Sequence, residues 1–158
     1  MTGNTGYRKP DNKPRLFAAL SAASALVCFS FSSLQAQEAH TPPAGSAERK
    51  AILDVLRAPF EKELKQELIF KVEMLRVAGD WAAARVTPLQ PDGKPVDWSK
   101  TKYKEQVETG MFDPNGEALF KRQAGKWKLL EWVFGGTDSS LAVWIESHRA
   151  PAALNDAD

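Results

Sequence analysis

Cysteine occurs once, at Cys28, and histidine twice, at His40 and His148. Cys28 lies inside an uncharged run from Leu16 to Gln37. If that run is removed, the remaining chain has no disulfide, no thiol nucleophile and no thiolate metal site. Small exported domains often rely on disulfides, so here the hydrophobic core must hold the fold alone. A metal centre needs several His, Asp or Glu at ligand spacing. His40 falls in a Pro-rich stretch, and Glu146 and His148, two residues apart, do not share a helical face. No metal and no cofactor are expected. Gly-x-Ser-x-Gly, Gly-x-Gly-x-x-Gly and P-loop patterns are absent, which removes the usual signatures of serine hydrolases, dinucleotide binders and P-loop nucleotide binders. There is no excess of one charge either. From Gln37 onward acidic and basic residues nearly balance, against a nucleic-acid footprint.

The amino terminus carries Arg8, Lys9, Lys13 and Arg15 before the apolar run, and Leu34-Gln35-Ala36 ends it with a small residue. This order of basic, apolar and small-residue regions reads as a secretory signal over 1–36, cleaved after Ala36, with a periplasmic or secreted product. The alternative is an uncleaved anchor, although Ser21, Ser24, Ser30, Ser32 and Ser33 make a poor permanent span. Val27 before Cys28 argues against a lipid anchor. After cleavage no membrane contact is expected.

Residues 37–46 read as a linker, 47–148 as one domain and 149–158 as a flexible tail. Ser46 is a good N-cap for a helix over 47–66, with Ile52, Val55, Leu56, Phe60 and Leu64 on one stripe. Pro59 removes a backbone donor, so a kink or break is expected near Ala58. Two hairpins follow. The first turns at Gly79-Asp80, and the second, over 117–134, turns at Ala124-Gly125. In the first, Phe70 and Val72 share one parity while Leu75 and Val77 share the other, which predicts a bulge or a strand buried on both faces. Between the hairpins lies a long polar connection, which in a compact domain is usually functional. It has a short helix expected within 99–109, and another is expected near 139–147.

Strict alternation along 127–134 places Trp127, Leu129, Glu131 and Val133 on one face, and Leu130, Trp132 and Phe134 on the other. Glu131 is therefore the candidate catalytic acid, in apolar surroundings that would raise its pKa. The competing reading is a cross-strand ion pair with Lys121 or Arg122. Apolar residues on both faces call for a second cover, either the 141–145 segment or another subunit. Trp98, Tyr103, Trp132 and Trp144 are the candidate ligand- or partner-binding residues, because aromatic side chains anchor interfaces and stack on sugars.

The turns Val77-Ala78-Gly79-Asp80-Trp81 and Gln123-Ala124-Gly125-Lys126-Trp127 resemble strand turns of cystatin-like and nuclear-transport-factor-like (ketosteroid-isomerase-like) proteins. The resemblance implies an α+β fold, cone-like, with a kinked N-terminal helix packed on a curved antiparallel sheet of about four strands. It also implies a helix–sheet pocket in some members and dimerisation through the sheet in many. Enzymes of the group use a buried acid with tyrosine and acid donors, roles that have no match here, since Tyr7 lies in the leader and Tyr103 in the connection. The expected function is an exported, non-enzymatic binding or accessory module. It would be a homodimer or have a protein or envelope-polysaccharide partner. The alternative is a small isomerase-like enzyme, or a small-ligand binder using the helix–sheet pocket.

Overall fold

Helix α1 (Ala47–Leu64) starts where the sequence places it, with the Ser46 hydroxyl accepting from the Arg49 amide at 3.2 Å. The computed structural model describes residues 38–136 and 138–155. The expected signal segment over 1–36 lies outside the described residues. α1 ends at Leu64, not Gln66, because Lys65 takes a left-handed conformation (φ 54°), and Pro59 lies inside the assigned helix. Of the expected stripe, Ile52, Leu56, Phe60 and Leu64 are each at most 1% exposed, while Val55 is half-buried at its border. Burying such a side chain is worth about 1.5–3 kcal/mol.

Strands β1 (Ile69–Ala78), β2 (Trp81–Leu89), β3 (Gly116–Gln123) and β4 (Lys126–Phe134) form one antiparallel sheet in that spatial order. The fold is α+β: a helix, then a four-stranded open sheet with short helices. Both hairpins close through two-residue loops. Gly79 alone has positive φ in the first, which suits a type II′ turn, whereas Ala124 (φ 48°) and Gly125 (φ 74°) are both left-handed in the second, as type I′ requires. The Arg122 amide donates to the Asp80 carbonyl at 2.7 Å, tying the two hairpins together.

Each edge strand contains a bulge. In β1, Val72 pairs with Val86 but Met74 with Arg85, so Glu73 is the extra residue. This is the bulge that the parity change in the sequence announced. In β4, Glu131 pairs with Leu119 but Leu129 with Phe120, so Leu130 is extra. This second bulge overturns the strict alternation expected for 127–134. Past Leu130 the faces exchange: Trp132 and Phe134 join Trp127 and Leu129 against α1, and Glu131 turns away from them with its partner Leu119.

The sheet thus has two packed faces. On one, the α1 stripe meets Leu75, Val77, Ala82, Ala84, Val86, Ala118, Phe120 and Trp127. Gly116 is a hole for Phe60, since a Cβ there would fall 2.4 Å from the Phe60 Cζ. On the other, Ala83 and Leu119 meet Leu141 and Ile145 of α3 (Leu141–Ser147) and Leu154 of a closing 3-10 turn, Ala152–Leu154. Of the two covers anticipated, the chain's own C-terminal segment occupies this face. Residues 149–158 were expected to be a flexible tail, yet Leu154 is fully buried. The presumed linker is packed too: His40 exchanges two backbone hydrogen bonds of 2.9 Å with Val77, and Pro42 is buried.

Candidate binding site

The connection between β2 and β3 reaches across one end of the helix–sheet layer. It is anchored first by Gln66, just past α1, whose amide pairs with the backbone of Asp97: Nε2 donates to the carbonyl at 3.3 Å and Oε1 accepts from the amide at 3.0 Å. Asp97 then caps the 3-10 turn Trp98–Lys100, accepting from the Ser99 amide at 3.2 Å and its hydroxyl at 2.6 Å. Helix α2 (Lys104–Glu108) follows, and neither short helix buries a residue fully. What the segment inserts instead is three rings, Trp98, Tyr103 and Phe112, all half-buried.

These rings gather on Phe134. Trp98 stacks on it at 5.9 Å and 19°, while Phe112 (5.4 Å) and Tyr103 (5.5 Å) meet it edge-on. Phe112 also lies 4.8 Å from Tyr103 and 5.4 Å from Trp98. Phe134 in turn contacts Phe60, which carries the cluster on to Trp132 and Phe70. Each such pair contributes about 0.5–1.5 kcal/mol beyond area burial. The cluster includes Trp98 and Tyr103 among the expected binding residues, with Trp132 one ring deeper. Phe112 and Phe134 complete the cluster and are not among the expected binding residues. The signal for Phe112 is a large aromatic side chain in the same connection as Trp98 and Tyr103.

One polar group holds the cluster from the side of α1. Glu63 Oε1 accepts from the Tyr103 hydroxyl and the Lys102 ammonium, each at 2.5 Å. Lys102 first, and Tyr103 next, hold the Glu63 carboxyl below its ordinary range. Burial, and then the neighbouring carboxylate, push the Tyr103 hydroxyl up.

Glu131 is elsewhere. It faces the α3 side of the sheet, 41% exposed, with its carboxylate 2.8 Å from the His148 Nε2. The expected setting among Trp127 and Leu129 is corrected by the Leu130 bulge, and the expected partners are engaged otherwise. Lys121 sits over Trp81 at 3.8 Å, and Arg122 pairs with Glu48 and stacks on Trp127 at 4.4 Å. Trp144 is half-buried on the same side as Glu131 and packs into the second cluster. The structure therefore separates the five candidates: Trp98, Tyr103 and Trp132 on the α1 side, Glu131 and Trp144 on the other.

A polar cleft of about 320 Å³ also opens on the α3 side, between Glu73, Arg85, Asp113, Asn115, Glu117 and Ser139. Within it Glu117 accepts from Arg85 Nε and the Ser139 hydroxyl at 2.8 Å and from the amides of Ser140 and Leu141 at 2.7 and 3.0 Å. Burial alone would raise its pKa, but these donors, Arg85 foremost, hold it below the ordinary range. Glu117 thereby supplies the partners that the start of α3 lacks, since Ser140 makes no side-chain cap. Its role is fully accounted for by docking α3. Among the described residues no group of three or more His, Cys, Asp and Glu is placed to hold a metal ion. Nor is any helix among them long and apolar enough to cross a membrane.

Compared with known proteins, the chain matches no family model, no curated protein and no solved structure.

Proposed function

We propose that this protein is an exported, non-enzymatic binding or accessory module of the cone-shaped, cystatin-like and nuclear-transport-factor-like kind. In this reading α1 bends at Pro59 and the sheet curves around it. The order of elements supports it, a helix followed by four antiparallel strands in sequence with the helix on one face. A homodimer through the sheet belongs to the same reading. Besides the two faces, which α1 and α3 pack against, the sheet has the outer edges of β1 and β4 for such pairing, and His40 already occupies the β1 edge at Val77.

The observation that carries the non-enzymatic half is the position of Glu131. An isomerase-like base works from a desolvated pocket where its pKa is raised toward neutrality. Glu131 instead lies on the opposite side of the sheet from the helix–sheet interior, partly exposed and hydrogen-bonded to His148. The α1 stripe is buried in that interior, and the aromatic cluster packs against it.

The test is direct. A β,γ-unsaturated cyclic ketone incubated with the protein should isomerise at the buffer rate, with wild type and Glu131→Gln indistinguishable. A wild-type acceleration of a hundred-fold or more that Glu131→Gln abolishes would overturn the reading, since positioned acid–base groups contribute about 10²–10⁴-fold.

A further inference from the structure

The polar cleft on the α3 side holds more chemistry than the docking of α3 uses. Four parts of the chain line it: β1 with Glu73, β2 with Arg85, the end of the connection with Asp113 and Asn115, and the segment before α3 with Asp138. Its volume of about 320 Å³ is that of a small-molecule site. Val133 and Gly136 give it one uncharged wall.

Donors and acceptors in this cleft do not balance. Four carboxylates, Glu73, Asp113, Glu117 and Asp138, face the single guanidinium of Arg85. Arg85 spends Nε on Glu117 and Nη2 on Ser139 and Asn155. The Thr87 hydroxyl has one proton for two oxygens, Glu73 Oε1 at 3.0 Å and Asn115 Oδ1 at 2.7 Å. Among the described residues no cation pairs with Asp113 or Asp138. Lys71 reaches Glu73 from the rim, with 65% of its side chain exposed. Glu73 owes its place to the β1 bulge, where it is the extra residue between Val72 and Met74, and a bulge re-aims the side chain it carries. Carboxylates gathered around one space repel one another, and a cation among them removes that cost.

We propose that this cleft binds a small aliphatic diamine, whose ammonium groups take the acceptors of Glu73, Asp113, Asn115 and Asp138 and whose methylenes lie along Val133. The inference rests on the reading of the protein as a binding module and gives that module a site and a ligand class. An ammonium carries three donors and no acceptor, the complement of this lining. Two carboxylates without a cation, Asp113 and Asp138, call for two positive charges. A metal ion is the poorer occupant, since among the described residues no three acids are grouped to hold one. Glu117 keeps its place at the start of α3 and is not needed by the ligand.

1,4-Diaminobutane is the probe, titrated into the protein at pH 7 and low salt by isothermal calorimetry. Wild type should bind it, and 1,4-butanediol, of the same length without charge, should not bind. Asp113→Asn keeps an oxygen for the Asn115 amide, which Asp113 accepts at 3.1 Å, and removes only the charge. Asp113→Asn and Asp138→Asn should each raise Kd about three- to ten-fold, the scale of a partly exposed charged hydrogen bond. Glu105→Gln removes an exposed acid of α2 outside the cleft and should leave Kd unchanged. No diamine binding to wild type, equal binding of the diol, or a wild-type Kd in both cleft variants overturns the site. A loss in Glu105→Gln as large as in the cleft variants overturns it too, because it marks general attraction to a charged surface. Each of these results leaves the non-enzymatic reading standing, because that reading fails only on Glu131-dependent turnover. Melting curves show that each variant is folded, and the comparison of diamine with diol, made on wild type, decides the case if one is not.

Discussion

At the scale of single residues, two glycines do the work of side chains by having none. Gly116 receives the Phe60 ring and Gly135 the Phe112 ring. Phe60 is 1% exposed and packed by Phe70, Trp132 and Phe134, so it has no free volume into which to retreat. Gly116→Ala should therefore destabilise the protein by about 1–3 kcal/mol, the cost of overpacking a filled core. Urea denaturation checks this, and a midpoint equal to wild type would mean the hole is wider than described. In the sequence, Gly116 follows Asp113-Pro114-Asn115 and reads as the end of a turn. Nothing local distinguishes a glycine that bends the chain from one that makes room for a ring arriving from α1.

At the scale of elements, the bulges decide which face each residue serves. One extra residue at Leu130 moves Trp132 and Phe134 to the α1 side and Glu131 to the other. In β1 the sequence betrayed the bulge, because the hydrophobic parity changes from Phe70 and Val72 to Leu75 and Val77. In β4 it did not, since Leu129, Leu130, Trp132, Val133 and Phe134 are apolar on either parity and an alternating pattern cannot register a slip among them. The C-terminal segment shows the same limit. Its composition suggests fraying, yet Leu154 is buried against the cluster of Leu119, Leu141 and Ile145. Leu154→Ala should cost about 2–5 kcal/mol, as for other buried leucines. A loss under about 0.5 kcal/mol, typical of an exposed position, would restore the free tail.

At the scale of the whole molecule, acid is the condition that reaches several ties at once. Glu117 and Glu63 both have carboxyls held below the ordinary range, by Arg85 with the start of α3 and by Lys102 with Tyr103. A carboxyl with a depressed folded-state pKa adds stability that is fully present above its unfolded value of about 4.3 and is lost as pH falls through the folded value. The melting temperature should accordingly be level near neutrality and fall below about pH 5. Glu117, with 12% of its side chain exposed, carries more of the effect than Glu63 at 26%, where solvent screens the pair. Glu117→Gln should lower the melting temperature at pH 7 and flatten its fall toward pH 3. A variant curve parallel to wild type would remove Glu117 as the source.

Local pattern alone is enough to place the helix with its cap and most of its buried stripe, both hairpins and the short helices. These rest on contacts between near neighbours, on 3.6- and two-residue periodicities and on glycine at tight turns. The face that Glu131 occupies, the cluster that Phe112 and Phe134 complete with Trp98 and Tyr103, and the cover that Leu154 gives the second face emerge when the whole chain is folded. Each of these depends on a register shift or on chain segments far apart in sequence meeting in space, and no local pattern encodes either.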